Sequence, residues 1–202
     1  NGIIVTVLFA CLIGSALLFY AGWELIIVGL LCVLFAFLYT TGPYPLSYNG
    51  WGDVLVIVFF GFVPVGGTYY VQALTWTSDT TVASLICGLL IDTLLVVNNY
   101  RDREADARSG KRTVIVRFGE KFGRYLYLML GVAASLLCFW FFFEGHLFAA
   151  LLPLLYLIPH VLTWRRMVQI HSGKKLNSIL GETSRNMLLM GILLSIGFLI
   201  RH

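Results

Sequence analysis

The sequence predicts an all-α membrane protein, a polytopic bundle of transmembrane helices, and two observations lead to that prediction. First, 59% of the 202 residues are hydrophobic and only 12% are charged, with a mean hydropathy of +0.87. A soluble domain cannot hide that much apolar surface from water. Second, several apolar runs reach the length of about 20 residues that a helix needs to cross a bilayer. Inside lipid, backbone groups must be hydrogen-bonded within the segment, which favours helices.

Seven such spans can be placed along the chain, and the breaks between them contain turn-forming residues. The first two spans are separated by Gly22, and the fifth and sixth by Gly145. The second span ends at a Gly-Pro pair, Gly42 and Pro43, because proline cannot continue a helix. The predicted spans are about 3–20, 24–40, 52–74, 80–99, 124–143, 146–164 and 184–200.

Basic residues are concentrated in the two longer polar connections, about 100–123 and 165–183. Eight Lys and Arg lie between Arg101 and Arg124 and five between Arg165 and Arg185, which is thirteen of the fourteen. With seven spans, both connections fall on the same side, and the positive-inside rule predicts that this side is cytoplasmic in the cell inner (plasma) membrane. The net charge of +4 therefore indicates topology and an anion site, and no nucleic-acid partner is expected.

The segment that contains the candidate catalytic and ligand-binding residues begins where the fourth span ends. Asn98, Asp102 and Asp106 are four residues apart, so on a continuing helix they share one face. The two carboxylates would lie about 6 Å apart along the axis, and a cation between them would relieve their repulsion. Mg²⁺ prefers such hard oxygen ligands together with phosphate. Lys111 and Arg112 follow a glycine turn and are candidate partners of a diphosphate. On spacing alone, a solvated loop of paired charges remains the alternative.

A resemblance to a known family favours the metal–diphosphate site over the solvated loop. Residues 98–113 read N-N-x-R-D-x-x-x-D-x-x-x-G-K-R-T and are followed by V-I-V-R-F-G. This run resembles the second Asp-rich motif of the UbiA superfamily of intramembrane prenyltransferases. Within that superfamily it is most similar to the 1,4-dihydroxy-2-naphthoate polyprenyltransferases of menaquinone biosynthesis, which have Asn at the first position of the motif. The similarity extends over about residues 39–123.

The resemblance implies a fold and a set of site residues. In that family nine helices surround a central cavity, and two Asp-rich motifs at the cytoplasmic side jointly hold Mg²⁺ and a diphosphate. Carried over to this sequence, Asp102 and Asp106 would be the catalytic, metal-binding residues, with Asn98 as a further ligand. The substrate-binding candidates are Asn98, Arg101, Lys111 and Arg112.

The first Asp-rich motif, of the form N-D-x-x-D-x-x-x-D, does not occur in this sequence. Seven spans are also two fewer than the family's nine. We therefore expect residues 1–202 to be a single transmembrane prenyltransferase domain that lacks its N-terminal part.

The function that the resemblance implies is Mg²⁺-dependent transfer of a polyprenyl group. The donor would be polyprenyl diphosphate, the acceptor 1,4-dihydroxy-2-naphthoate, and the products demethylmenaquinone, CO₂ and diphosphate, with membrane lipid around the protein. One alternative is a related enzyme that uses hydroxybenzoate, homogentisate or a chlorophyllide. Another is a transporter in which Asp92, an ionisable residue at membrane depth, forms part of an ion path. Asp92 is either functional or bonded to a neighbouring helix, and His160 is expected to be hydrogen-bonded to a neighbouring helix.

Overall fold

The computed structural model describes residues 2–200, and in this range the chain is helical with no β-strand. Short 3₁₀ turns lie at Leu46–Asn49, Leu152–Tyr156 and Lys174–Leu176, and a π-helical segment spans Ile57–Gly66. The α-helices, in chain order, are α1 (Gly2–Ser15), α2 (Leu18–Ala21), α3 (Glu24–Thr40), α4 (Gly52–Val56), α5 (Gly67–Ala73), α6 (Ser78–Arg108), α7 (Val114–Leu137), α8 (Trp140–Phe143), α9 (Leu147–Leu151), α10 (Leu157–Ile170) and α11 (Asn177–Leu199).

These elements form seven apolar helical segments, which confirms the predicted bundle. Six are at least 20 residues long, and the seventh, α3, has 17 residues. Neither α1 nor α3 contains a buried residue. Their side chains are apolar on all sides, as expected for helices that contact lipid.

Helix α6 is the centre of the fold. It has 31 residues and is capped at its N-terminus by Thr77, whose side chain accepts a hydrogen bond from the backbone N–H of Thr80 at 3.2 Å. It packs against the rod formed by α4, the π-helical segment and α5. Gly61 and Gly88 make this contact possible, because a Cβ on Gly61 would lie 2.8 Å from Gly88 Cα. Small residues allow such close approach of helices in membranes.

A buried histidine joins α10 to α7. The ring of His160 is stacked with Tyr127 and Tyr156, at centroid distances of 4.7 and 5.0 Å. Its Nδ1 lies 2.9 Å from the Tyr156 hydroxyl, and its Nε2 lies 3.2 Å from the carbonyl oxygen of Leu128. The expected hydrogen bond from His160 to a neighbouring helix is therefore confirmed.

The two polar connections are much shorter than predicted. Helix α6 continues to Arg108 and α7 begins at Val114, so the first break within 100–123 is Ser109–Thr113. A second interruption lies at Gly119, where φ is +87° and ψ is 169° and α7 is kinked. Likewise, α10 extends to Ile170 and α11 begins at Asn177, within the predicted connection 165–183. The physical reason is that Arg, Glu and Ala are good helix formers, and a helix can continue into water once its side chains are solvated. That both breaks face the cytoplasm stays a prediction.

Candidate functional site

In the last three turns of α6, the side chains of Asn98 and Asp102 both contact the guanidinium group of Arg101. The Arg101 guanidinium binds Asp102 through two bonds, with Nε donating to Oδ1 at 2.8 Å and Nη2 donating to Oδ2 at 2.6 Å. Nη2 also donates to Asn98 Oδ1 at 2.7 Å. Asp102 and Asn98, which the spacing placed on one helix face, thus share the Arg101 guanidinium as a partner. Such forked, charge-assisted contacts are strong and directional.

A further oxygen reaches this point from the first residue of α11. Arg101 Nη1 donates a hydrogen bond to Asn177 Oδ1 at 2.9 Å. The side-chain oxygens of Asn98, Asp102 and Asn177 therefore converge on a single guanidinium. Sequence analysis missed Asn177 because it is 76 residues away from Arg101, and a polar residue beside an apolar run carries no signal of its partner.

Asp106 is paired with the second basic residue. Its Oδ2 lies 3.5 Å from Lys111 Nζ, and the Asp106 side chain is only 14% exposed. This buried oxygen has no hydrogen bond among residues 2–200. The turn that returns Lys111 to Asp106 requires Gly110, whose φ of +77° favours glycine. The Lys111 N–H closes the turn by donating to the Asp106 carbonyl at 2.9 Å.

The turn after α6 is fixed to the 3₁₀ turn at Leu46–Asn49. The backbone N–H of Arg112 donates to the Tyr48 carbonyl at 2.7 Å. Arg117 then bridges the two segments, donating to the carbonyls of Arg112 at 3.0 Å and Asn49 at 2.7 Å. The Arg112 side chain is exposed and forms no ion pair within the described residues. The structure thus places the Arg112 backbone beside the site but does not bring its side chain to either aspartate.

Two further arginines near the site have structural partners. Arg103 and Arg124 both bind Glu120, at 3.2 and 3.1 Å. Arg103 also lies over the ring of the buried Tyr100, and Arg124 donates to the Tyr100 hydroxyl at 2.9 Å. These contacts hold α6 against α7, so Arg103 and Arg124 have structural partners.

A small polar cavity adjoins the Asp106–Lys111 pair. It lies between the end of α3, the start of α4, and the end of α6. Polar side chains line it from all three helices and from the turn that follows α6. They are Tyr39, Ser47, Asp53, Asn99, Lys111 and Thr113. Sequence analysis did not select Asp53, because a carboxylate in the first turn of a helix is common.

A larger apolar cavity of about 550 Å³ lies next to it. Its walls are formed by α3, the rod beginning with α4, and α6. Tyr39 lines both cavities, so the apolar space has a polar end at this residue. The other principal lining residues are Cys32, Phe35, Phe59, Phe60 and Leu95.

The carboxylates at the end of α6, Asp102 and Asp106, are suitable ligands for part of a Mg²⁺ site. The described residues contain no group of three or more His, Cys, Asp or Glu side chains arranged around one point. Mg²⁺ is usually held by one or two carboxylates together with water and phosphate oxygens, and Asp102 and Asp106 supply that number. The buried Oδ2 of Asp106 lacks a hydrogen bond, and the guanidinium of Arg101 already draws three oxygen-bearing side chains together. This donor set consists of hard oxygens, as Mg²⁺ requires.

Comparisons with known proteins agree with these features. A sequence profile of the UbiA prenyltransferase family matches residues 1–196. The chain is 38% identical over 181 residues to the 1,4-dihydroxy-2-naphthoate octaprenyltransferase of Haemophilus influenzae, covering 86% of this chain and 56% of that protein. It is 38% identical to the Escherichia coli protein of the same name, covering 68% and 46%. For the Mycobacterium leprae protein of that name, identity is 43% with coverage of 61% and 42%.

The chain spans about half the length of these curated relatives. No solved structure matches it significantly.

Proposed function

Because this chain belongs to the UbiA prenyltransferase family, we propose that its full-length protein transfers a polyprenyl group from polyprenyl diphosphate to 1,4-dihydroxy-2-naphthoate. Diphosphate and CO₂ are released, and demethylmenaquinol, the hydroquinone form of demethylmenaquinone, is formed. The similarity to three proteins named 1,4-dihydroxy-2-naphthoate octaprenyltransferase supports this acceptor. The transporter alternative has no such support.

The observation that carries the proposal is the arrangement of two aspartates, each paired with a cation, at one end of α6. Asp102 is bound by Arg101, and Asp106 is paired with Lys111. Arg101 and Lys111 would bind the phosphate oxygens of a magnesium diphosphate, and Asp102 and Asp106, which they pair with here, would hold the metal.

The residues that would hold Mg²⁺ are Asp102 and Asp106, with the amide oxygens of Asn98 and Asn177 beside them. The ion would offset the negative charge that develops on the diphosphate as the allylic C–O bond breaks. Arg101, through its planar fork of donors, would orient the diphosphate. Lys111 and the exposed side chain of Arg112 would contribute further positive charge on the side of the turn.

The apolar cavity suits the organic part of the reaction. Its volume of about 550 Å³ falls within the range of small-molecule sites. Its aromatic and aliphatic walls exclude water, which protects an allylic cation from hydrolysis. The apolar cavity meets the small polar cavity at Tyr39, and Asn99 and Lys111 line the small cavity. The reacting carbon and the diphosphate would therefore be neighbours. We place this polar end on the cytoplasmic side of the membrane.

An acceptor assay on the purified full-length protein tests the proposal. We expect demethylmenaquinol to form from 1,4-dihydroxy-2-naphthoate and a polyprenyl diphosphate in the presence of Mg²⁺, and no product to form with excess EDTA; the product is detected as demethylmenaquinone after oxidation in air. With 4-hydroxybenzoate as the acceptor, kcat/KM should be lower by at least about a hundredfold, because that ring lacks a second hydroxyl group and the fused ring that fills the cavity. Preference for hydroxybenzoate, or turnover that is insensitive to EDTA, would contradict the assignment.

A further inference from the structure

Two carboxylates at membrane depth, Asp53 and Asp92, take no part in the acidic end of α6. The Asp92 side chain is buried, with 1% of the residue exposed. Its Oδ1 atom, and Oδ1 of Asp53, are both buried without a hydrogen-bond partner among residues 2–200. Buried polar atoms are nearly always hydrogen-bonded in proteins. Two unpaired carboxylate oxygens in one region therefore point to a ligand that donates hydrogen bonds.

The packing of the helices brings these two carboxylates to the same level. The π-helical segment and α6 are antiparallel, and a Cβ on Gly88 would lie 2.9 Å from the Ile57 carbonyl oxygen. Asp53 lies one helical turn before Ile57, and Asp92 lies one turn after Gly88. The two aspartates therefore face each other across this contact. They also interact electrostatically with each other and with the hydroxyl group of Tyr39.

One face of α6 connects these carboxylates with the proposed metal site. Asp92, Asn99 and Asp106 are seven residues apart, which is about two helical turns, so they lie on the same side of the helix. Asn99 lines the small polar cavity together with Asp53 and Lys111, and Lys111 is paired with Asp106. A ligand bound to Asp53 would therefore lie beside the diphosphate.

The position of Asp53 in the first turn of α4 does not explain its orphaned oxygen. An acidic residue there normally satisfies free backbone N–H groups. The Asp53 carboxylate interacts electrostatically with its own backbone N–H, yet its Oδ1 is buried without a hydrogen-bond partner among residues 2–200, and Asp53 lines the small cavity. Sequence analysis gave a bond to a neighbouring helix as the structural alternative for Asp92. Within the described residues, no hydrogen-bond partner for its Oδ1 is found.

We propose that Asp53 and Tyr39 form the site that binds a hydroxyl group of the aromatic acceptor, that Asp53 accepts the proton of this hydroxyl group, and that Asp92 positions Asp53. This inference rests on the proposed function and deepens it. The ligand class is a dihydroxylated fused aromatic acid whose rings lie in the apolar cavity of about 550 Å³ and whose hydroxyl group next to the carboxylate points to Tyr39, which lines both cavities. Asp53, which lines the small cavity, is the catalytic residue, and Asp92, buried behind it, is a positioning residue.

The proton transfer fits the chemistry of a reaction that expels CO₂. The ring carbon that carries the carboxylate bonds to the allylic carbon, whose C–O bond breaks with its electron pair leaving on the diphosphate. The neighbouring hydroxyl gives its proton to Asp53, and the O–H electron pair forms a C=O bond. The product of this step is a β-keto acid. Its C–CO₂ bond then breaks, the electrons restore the aromatic ring and the oxyanion, and Asp53 returns the proton to that oxygen.

Asp53→Asn and Asp92→Asn in the full-length protein test this assignment. Both substitutions keep the shape of the side chain. Asp53→Asn removes the proposed base, and Asp92→Asn removes the carboxylate that positions it. General-base catalysis contributes about a hundredfold or more, so kcat with 1,4-dihydroxy-2-naphthoate should fall by at least that factor in Asp53→Asn. In Asp92→Asn it should fall about tenfold or more, because this residue acts through Asp53. KM for the polyprenyl diphosphate should change by less than about twofold.

A binding measurement without turnover provides the second readout. The probe is 1-hydroxy-2-naphthoate, an air-stable fluorescent analogue, titrated into the metal-free full-length protein in nanodiscs. Its Kd should rise about tenfold in Asp53→Asn, since a charge-assisted hydrogen bond is lost. The matched control is Glu104→Gln, an exposed acid on another face of α6, which should leave the Kd, kcat and Tm unchanged.

Each outcome has a distinct meaning. Unchanged kcat and unchanged probe affinity in Asp53→Asn would overturn the inference. A parallel loss of probe affinity, diphosphate affinity and Tm would also overturn it, because it would show that the two aspartates are structural. If wild-type protein binds the probe but does not prenylate the naphthoate, the proposed function fails while the binding site stands.

Discussion

Replacing Asp102 with alanine in the full-length protein should abolish Mg²⁺-dependent prenyl transfer. The substitution removes a carboxylate proposed to hold the metal, and it leaves the Arg101 guanidinium without its two contacts to Asp102, at 2.6 and 2.8 Å. Loss of such electrostatic stabilisation costs about 4 kcal/mol, which corresponds to a fall in kcat of about a thousandfold. The rate is measured by chromatography of the demethylmenaquinone formed at saturating substrates.

The matched control for this substitution is Glu104→Ala. Glu104 lies two residues further along the same helix, but its side chain is exposed and points away from the site. We expect the control to retain wild-type kcat and Mg²⁺ dependence. Activity of Asp102→Ala close to that of the wild type would rule out this aspartate as a metal ligand.

The second large effect is expected at the contact between α6 and the π-helical segment. A Cβ on Gly61 would lie 2.5 Å from the carbonyl oxygen of Ser84 and 2.8 Å from Gly88 Cα. Both are backbone atoms of α6, so no side chain can rotate away and the helices must separate. We expect Gly61→Ala to lower the free energy of unfolding by about 3 kcal/mol, measured as a large fall in Tm of the full-length protein in detergent.

Gly67→Ala provides the control for Gly61→Ala. Gly67 lies on the same rod, and a Cβ there would have no atom within 4 Å. Since alanine is the better helix former by about 1 kcal/mol, Tm should stay constant or rise. Equal Tm values for the two variants would show that Gly61 and the backbone of α6 are not in close contact.

Hydrophobicity alone is sufficient to predict the helices. Lipid leaves few choices to the backbone, so an apolar run of about 20 residues specifies a helix with little ambiguity. The ends of the helices are harder to predict, because the apolar run of α6 stops near Asn98 while the helix continues to Arg108. Hydropathy locates the membrane boundary, whereas the helix ends at the Ser109–Gly110 turn, where Gly110 has a positive φ.

The site was predictable where it depends on helical periodicity and not where it depends on packing. The spacing of Asn98 and Asp102 on α6 placed them on one face, and both contact Arg101. Asn177, by contrast, reaches Arg101 only because α11 packs against the end of α6. The sequence marked Asp92 as an ionisable residue at membrane depth. It could not reveal Asp53 opposite, because that pairing depends on the glycine contact between two helices.

The most direct test of the central claim uses Mn²⁺ in place of Mg²⁺ and electron paramagnetic resonance on the full-length protein. A non-reactive polyprenyl thiodiphosphate is added, and the fraction of bound Mn²⁺ is measured for wild type, Asp102→Asn, Asp106→Asn and Glu104→Gln. If the aspartates at the end of α6 anchor the metal diphosphate, wild type and Glu104→Gln will bind Mn²⁺ with equal affinity. Each Asp→Asn variant will then bind it at least about tenfold more weakly. Equal Mn²⁺ affinity in all four proteins would contradict the assignment of the metal to this helix end.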